Sequence, residues 1–136
     1  MIYLDANIFL YALLNDDEKG ESCRSLLIKV AKEEDACTSL LTWDECVYIL
    51  KKKKSKEIAV SEGERLLIFP HLQFVHVDKI IIAKAQQIMK SYNLEPRDAI
   101  HAASALNIHV RKIVSDDPDF DNIPELKRIK PNEHLK

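Results

Sequence analysis

Short apolar runs alternate along the chain with stretches whose apolar positions recur three or four residues apart. Ile2-Tyr3-Leu4, ended by Asp5, reads as a buried first strand. Asn7 to Leu14 is apolar at nearly every position and predicts a short buried helix. Asp16 to Gly20 forms a polar loop. Cys23, Leu26, Leu27, Val30 and Ala31 then predict an amphipathic helix over about 18–33. Ala36-Cys37-Thr38-Ser39 predicts a second strand. From Thr42 a helix carries Trp43, Cys46, Val47 and Leu50 as its apolar stripe and runs into Lys51-Lys52-Lys53-Lys54.

The second half continues the alternation. Ser61-Glu62-Gly63-Glu64 matches a capping box, so a helix is expected to begin there, carry Leu66 to Phe69, and stop at Pro70. Phe74-Val75-His76-Val77 predicts a third strand. Asp78 can cap a helix over about 79–92, with Ile81, Ala85, Ile88 and Tyr92 facing inward. Pro96 suits the first turn of an alanine-rich helix over about 96–107. Lys112-Ile113-Val114-Ser115 predicts a fourth strand and Lys127-Arg128-Ile129 a weak fifth. Strands alternating with helices imply an α/β fold. The expectation is a three-layer α/β/α sandwich on a central, mainly parallel sheet of four to five strands, in a single domain over residues 1–136.

Composition narrows the class. The chain is 46% hydrophobic and 31% charged with two glycines, which excludes a collagenous or disordered protein. No stretch approaches the roughly 18 apolar residues that span a bilayer, so no membrane association is expected. The N-terminus lacks a basic segment, so no signal peptide is expected. Cys23, Cys37 and Cys46 are odd in number and form no C-x-x-C pair, which fits a reducing, cytoplasmic location. They sit in apolar settings and are expected to be inert. A net charge of -2 gives no global signature of a nucleic-acid binder, so any such function must rest on local charge.

The acids carry the chemistry. In an open parallel sheet, ligands bind beyond the carboxyl ends of the strands. Asp5 ends the first strand, and Glu45 lies in the first turn of the helix after the second. Asp98 lies in the first turn of the alanine-rich helix, and Ser115, Asp116, Asp117 and Asp119 follow the fourth strand. Crowded carboxylates repel, so some must protonate or bind a cation. Oxygen-only donors suit Mg²⁺ or Mn²⁺, and no histidine or cysteine cluster favours zinc. Each acid alone also has a structural reading. Asp5 can cap a helix. Thr42 to Glu45 matches a capping box in which Glu45 reaches back to the Thr42 N–H. Asp98 can complement a helix N-terminus. Asp116-Asp117-Pro118-Asp119 can be turn chemistry.

Four segments together resemble the PIN-domain family. They are Tyr3-Leu4-Asp5-Ala6-Asn7-Ile8-Phe9-Leu10, Ser39-Leu40-Leu41-Thr42-Trp43-Asp44-Glu45-Cys46, Leu94 to Leu106 with Asp98 opening the alanine-rich helix, and Ile113 to Phe120. They stand in the family's order and spacing over essentially the whole chain. The length and third segment are most similar to VapC-type toxins, the ribonuclease halves of prokaryotic toxin–antitoxin pairs. The resemblance implies an acidic quartet of Asp5, Glu45, Asp98 and Asp117, with Asp119 as a further metal-ligand candidate. It implies Asn7 and Ser115 as supports of the carboxylates. Asp44 and Asp116 are neighbours outside the motif positions. The implied activity is Mg²⁺- or Mn²⁺-dependent hydrolysis of RNA, leaving a 5′-phosphate and a 3′-hydroxyl. The implied assembly is a homodimer with a cognate antitoxin protein covering apolar grooves between the early helices.

An acidic site needs positive charge at its rim to hold RNA. Lys51, Lys52, Lys53, Lys54 and Lys56 offer a local run, and Arg97 lies beside Asp98. For the lysines the alternative is a solvated helix end. His101, one turn past Asp98, is read as supporting or packing rather than catalytic. Trp43, Tyr48 and Phe9 are expected in the core, and packing is also the expectation for Phe9, Leu10, Leu13 and Leu14. A catalytically silent PIN fold that binds RNA or protein would have a broken quartet, and this chain's quartet is complete. A haloacid-dehalogenase-type phosphotransferase needs a second Asp where Asn7 stands. A receiver domain fits still less well.

Overall fold

Five short strands alternate with helices in a computed structural model that describes residues 1–136. In chain order they are β1 (Ile2–Leu4), α1 (Ala6–Leu14), α2 (Glu18–Lys32), β2 (Ala36–Ser39), α3 (Leu41–Lys53), α4 (Lys56–Leu67), β3 (Leu72–Val75), α5 (Lys79–Ser91), α6 (Pro96–Asn107), β4 (Lys112–Val114), a 3₁₀ turn (Pro118–Asn122), β5 (Lys127–Ile129) and α7 (Pro131–His134). The strand order is β3-β2-β1-β4-β5, and every neighbouring pair is parallel. The chain builds outward from β1 to one side through β2 and β3, then crosses to β4 and β5. The switch of direction lies between β1 and β4, the place where open parallel sheets bind ligands beyond the strands' carboxyl ends.

Side-chain alternation on β1 separates the two cores. Tyr3 joins the cluster made with α5 and α6, including Ile81, Ile88, Ala99, Ala102 and Ala103. Ile2 and Leu4 join the other, with Ile8, Cys23, Leu26, Val30 and Cys46 from α1, α2 and α3. The period of two along a strand forces this division. The small residues of α6 let that helix lie close to the sheet, which brings Asp98 and His101 near β1. No helix is long and apolar enough to cross a membrane.

Three local expectations are corrected. The helix before Pro70 begins at Lys56, where the Ser55 hydroxyl accepts from the Ile58 N–H at 3.1 Å, and Ser61 lies exposed in its middle. A capping-box pattern reads only local sequence, and Ser55 ends the preceding turn first. The third strand is Leu72–Val75 rather than Phe74–Val77, because its register against Ala36–Ser39 ends at Val75. It is an edge strand with mixed exposure, so its alternation is blurred. Trp43 and Tyr48 are 40% and 58% exposed, while Phe9 is buried. α3 packs through Thr42, Cys46 and Leu50, which leaves Tyr48 outward and Trp43 lying over α4 at Gly63. A Cβ at Gly63 would fall 2.9 Å from the indole Nε1, so a larger residue there would displace the indole. The apolar set on α1 also divides: Phe9 is core, Leu10 and Leu14 are half-buried, and Leu13 is exposed.

Candidate active site

Asp5 leaves β1 as the N-cap of α1, anchored by its own backbone N–H to the Val114 carbonyl at 3.1 Å. Its Oδ1 accepts from the Ala6 N–H at 2.8 Å, and its Oδ2 accepts from the Ser115 hydroxyl at 2.6 Å. Ser115, fully buried after β4, also accepts from the Asp117 N–H at 3.0 Å and the Asn7 side-chain amide at 3.3 Å. Asn7 and Ser115 therefore stand where supports of the carboxylates were expected. Burial pushes the Asp5 carboxyl above its usual range, although His101 and Ser115 counter it.

Glu45 lies just past the first turn of α3, because the helix begins at Leu41 rather than at Thr42 as expected, and it does not close a capping box. The Ser39 hydroxyl accepts from the Leu41 N–H at 3.0 Å, and the Thr42 hydroxyl bonds Thr38 Oγ1 at 2.7 Å. With the helix start tied to β2 in this way, Glu45 extends instead to His101 Nε2 at 2.5 Å. His101, wholly buried on α6, holds Tyr3 Oη at 2.6 Å through Nδ1, and its Nε2 lies 3.7 Å from Asp5 Oδ1. Burial opposes charge on this ring, but Glu45, Asp5 and Asp98 outweigh it and raise the imidazole pKa.

Asp98, Asp117 and Asp119 form the open side of the site. One carboxylate oxygen from each lies within 4.8 Å of the other two. Asp98 comes from the first turn of α6. Asp117 caps the 3₁₀ turn by accepting from the Asp119 N–H at 2.9 Å. Desolvation pushes the Asp98 carboxyl up to about 7, with the charges of Asp117 and Asp5 acting in the same direction. No lysine or arginine pairs with any of the five acids. Asp119, the outlying candidate in the sequence, is thus a full member of the tight group, while Asp5 and Glu45 lie beside it. Asp116 turns away to Lys19 Nζ at 2.7 Å, and Asp44 is exposed.

The donor set fits a hard divalent cation. It is all oxygen, it holds excess negative charge that a cation relieves, and the Asn7 Oδ1 is buried with no partner in the protein. Arg97 and Lys51 to Lys54 are exposed, the lysines at the far end of the helix that starts beside Glu45. The cysteine thiols are buried and pushed up, Cys23 to about 11 and Cys37 to about 12, so they stay protonated at neutral pH. Away from the acids, Phe9, Leu13, Leu27, Ile28, Leu66 and Phe69 line an apolar groove of about 640 Å³ between α1, α2 and α4.

Comparison with solved structures returns the same architecture. VapBC2 of Rickettsia felis, solved with a promoter DNA fragment, superposes with a TM-score of 0.74 at 23% identity over 96% of this chain and 98% of that one. The VapC20 toxin of Mycobacterium tuberculosis, described as cleaving the sarcin–ricin loop, gives 0.75 at 15% identity over 89% and 93%. FitAcB of Neisseria gonorrhoeae gives 0.72 at 18% identity over 96% and 98%. No curated protein matches significantly in sequence. A family profile described as the PIN domain matches residues 2–126, which takes in every strand but β5 and every acid of the site. With the sheet order, the motif acids and that match in agreement, the chain belongs to the PIN-domain family.

Proposed function

We propose that this protein is a Mg²⁺- or Mn²⁺-dependent endoribonuclease and the toxin of a toxin–antitoxin pair, acting as a single-domain homodimer in the cytoplasm. The observation that carries this reading is the convergence of Asp98, Asp117 and Asp119 without a lysine or arginine partner, with Asp5 and Glu45 alongside and paired only with His101. A structural acidic cluster would hold lysine or arginine partners, as Asp116 and Asp121 do. Asp5, Asp98, Asp117 and Asp119 would hold the ion, and Ser115 and Asn7 keep the Asp5 carboxylate in one orientation. When bound, a divalent ion neutralises the phosphate, lowers the pKa of a bound water and stabilises the leaving oxygen. Glu45 accepts a hydrogen bond from the attacking water and directs it at phosphorus. Arg97 and the lysines of α3 hold flanking phosphates of the RNA.

The likeness to a toxin–antitoxin complex from Klebsiella pneumoniae, with a TM-score of 0.70 at 20% identity, supports the partner assignment, and the groove between α1, α2 and α4 is the surface proposed for it. Its lining is mainly apolar, with Leu13 and Ile28 substantially exposed, which suits one face of an antitoxin segment. The direct test is cleavage of labelled RNA by purified protein with Mn²⁺, with an Asp117→Asn preparation purified in parallel. Cleavage by the parent that EDTA stops and Asp117→Asn lacks is the expected result. Equal cleavage by both preparations overturns the assignment.

A further inference from the structure

We propose that His101 is the positioning residue of this site: clamped between Tyr3 of β1 and Glu45 of α3, it sets the orientation of the Glu45 carboxylate for the reaction. The proposal rests on the nuclease reading and adds a residue to it that lies outside the acidic quartet.

The geometry carries the argument. His101 is fully buried on α6, yet both ring nitrogens are engaged by different elements. Tyr3 is fully buried too, and its hydroxyl meets Nδ1 at 2.6 Å. The two rings cross edge-on at 69° with centroids 5.7 Å apart, so the imidazole plane has a packing wall as well as a hydrogen bond. Nε2 meets Glu45 Oε1 at 2.5 Å. A carboxylate is a pure acceptor, so Nε2 carries the proton in this contact whether the ring is neutral or charged. In the neutral ring, Nδ1 accepts from the Tyr3 hydroxyl, which fixes the tautomer that donates to Glu45.

Three elements thereby converge on one acid. Glu45 has several rotatable bonds and makes no bond to the backbone of its own helix start. Without the imidazole, nothing else in the protein holds its carboxylate. With it, Oε1 is committed to Nε2, and Oε2 makes no hydrogen bond within the protein. Buried polar groups are hydrogen-bonded as a rule, and what sets His101 apart is that one of its two partners is an acid of the site. It also stands 3.7 Å from Asp5 Oδ1, so the same ring lies beside both carboxylates. Supporting contacts of this kind, which orient ligands, typically cost about 10–100-fold in metal affinity or activity when removed.

The test uses the full chain and reads the contact itself as well as its consequence. In metal-free protein, ¹⁵N-edited NMR should show an exchange-protected imidazole N–H for His101, assigned by its absence from His101→Gln and displaced in Glu45→Ala. His101→Leu fills the space without donors. It should lower Mn²⁺ affinity by calorimetry, or kcat on RNA, by about 10–100-fold with KM for RNA unchanged. His101→Gln places an amide donor near the Nε2 position and should recover much of that loss. Tyr3→Phe keeps the core filled, frees only Nδ1, and should show a smaller loss of the same kind. If His101→Leu fails to fold, Tyr3→Phe and the imidazole signal decide. An unprotected His101 N–H, or folded His101→Leu and Tyr3→Phe proteins that match the parent in Mn²⁺ affinity and kcat, overturns the proposal. A parent that neither binds Mn²⁺ nor cleaves RNA overturns the nuclease reading, and the proposal falls with it. A parent that does both while its variants match it overturns the proposal alone.

Discussion

The two sides of the acidic site are built on opposite principles. On one side Asp5 and Glu45 are tied down: Asp5 by the Ala6 N–H and the Ser115 hydroxyl, Glu45 by His101. On the other, Asp98, Asp117 and Asp119 crowd their oxygens within 4.8 Å of one another with no cation among them. The first side is a rigid frame that closes at the folding step. The second is an electrostatic strain that folding creates and that a divalent ion held there would relieve. Carboxylates of the same charge in the same crevice therefore respond differently to the same substitution.

The largest expected effect falls on activity. Asp98→Asn and Asp117→Asn each remove a ligand charge and should lower RNA cleavage by at least about a hundredfold, equivalent to about 2.7 kcal/mol of barrier. Single-turnover cleavage with saturating Mn²⁺ reads this directly.

The next effect separates the two sides by stability. Asp5→Asn leaves one acceptor oxygen for two donors, the Ala6 N–H and the Ser115 hydroxyl, so one of these groups loses its acceptor. A cost of about 1–3 kcal/mol follows for a buried group left unpaired. Asp98→Asn relieves repulsion and should leave the metal-free protein as stable as the parent or more so. Chemical denaturation of both variants without metal tests the comparison, and equal destabilisation would erase the distinction.

A third effect is the pH dependence of metal-free stability. The Asp98 carboxyl moves from an ordinary 3.8 up to about 7 on folding, and Asp5 moves in the same direction. A raised folded pKa means that the folded state binds protons more tightly, so its contribution is fully present below pH 4 and is lost as pH rises through 7. Thermal unfolding of the metal-free protein should fall across that window. Asp98→Asn should flatten the fall, leaving the parts that Asp5 contributes and that His101 contributes above its ordinary value of 6.5. Millimolar Mg²⁺ should remove much of the Asp98 dependence, and matched NaCl should not, since salt only screens.

The smallest effects lie outside both sides. Asp116→Asn breaks an exposed pair with Lys19 and should cost no more than about 1 kcal/mol. Asp44→Asn, exposed on α3, should leave cleavage unchanged. Replacing Lys51 to Lys54 by alanine should raise KM and weaken its salt dependence without altering kcat. A fall in kcat instead would place these lysines in the chemistry rather than at the rim.

Much of this was determined by the sequence alone. Ile2 to Leu4, Ala36 to Ser39 and the alanine-rich helix announce themselves by local apolar pattern, and the order of strands and helices then requires a parallel sheet with its site at one edge. Asp5, Glu45, Asp98 and Asp117 were legible because motif spacing ties each acid to the end of a strand or the start of a helix. Where a second signal competed nearby, local reading failed. Ser61 imitated a helix start that Ser55 had already made, and β3 was shifted because only pairing with β2 fixes where it ends. Trp43 shares the helical spacing of Cys46, Val47 and Leu50 but lies at the rim of the α3–α4 contact, and Tyr48 points away from it, so aromatic character on a helix did not by itself report burial. The tertiary structure alone decided which side of the site each acid joined. Asp119 became a full member because the 3₁₀ turn folds it back onto Asp98, residues 21 positions apart in sequence. Glu45 left its capping role because His101, 56 positions away, offered a buried donor that the helix start did not. Hydrogen bonds between distant residues depend on burial and direction, and neither exists until the sheet and its helices close around β1.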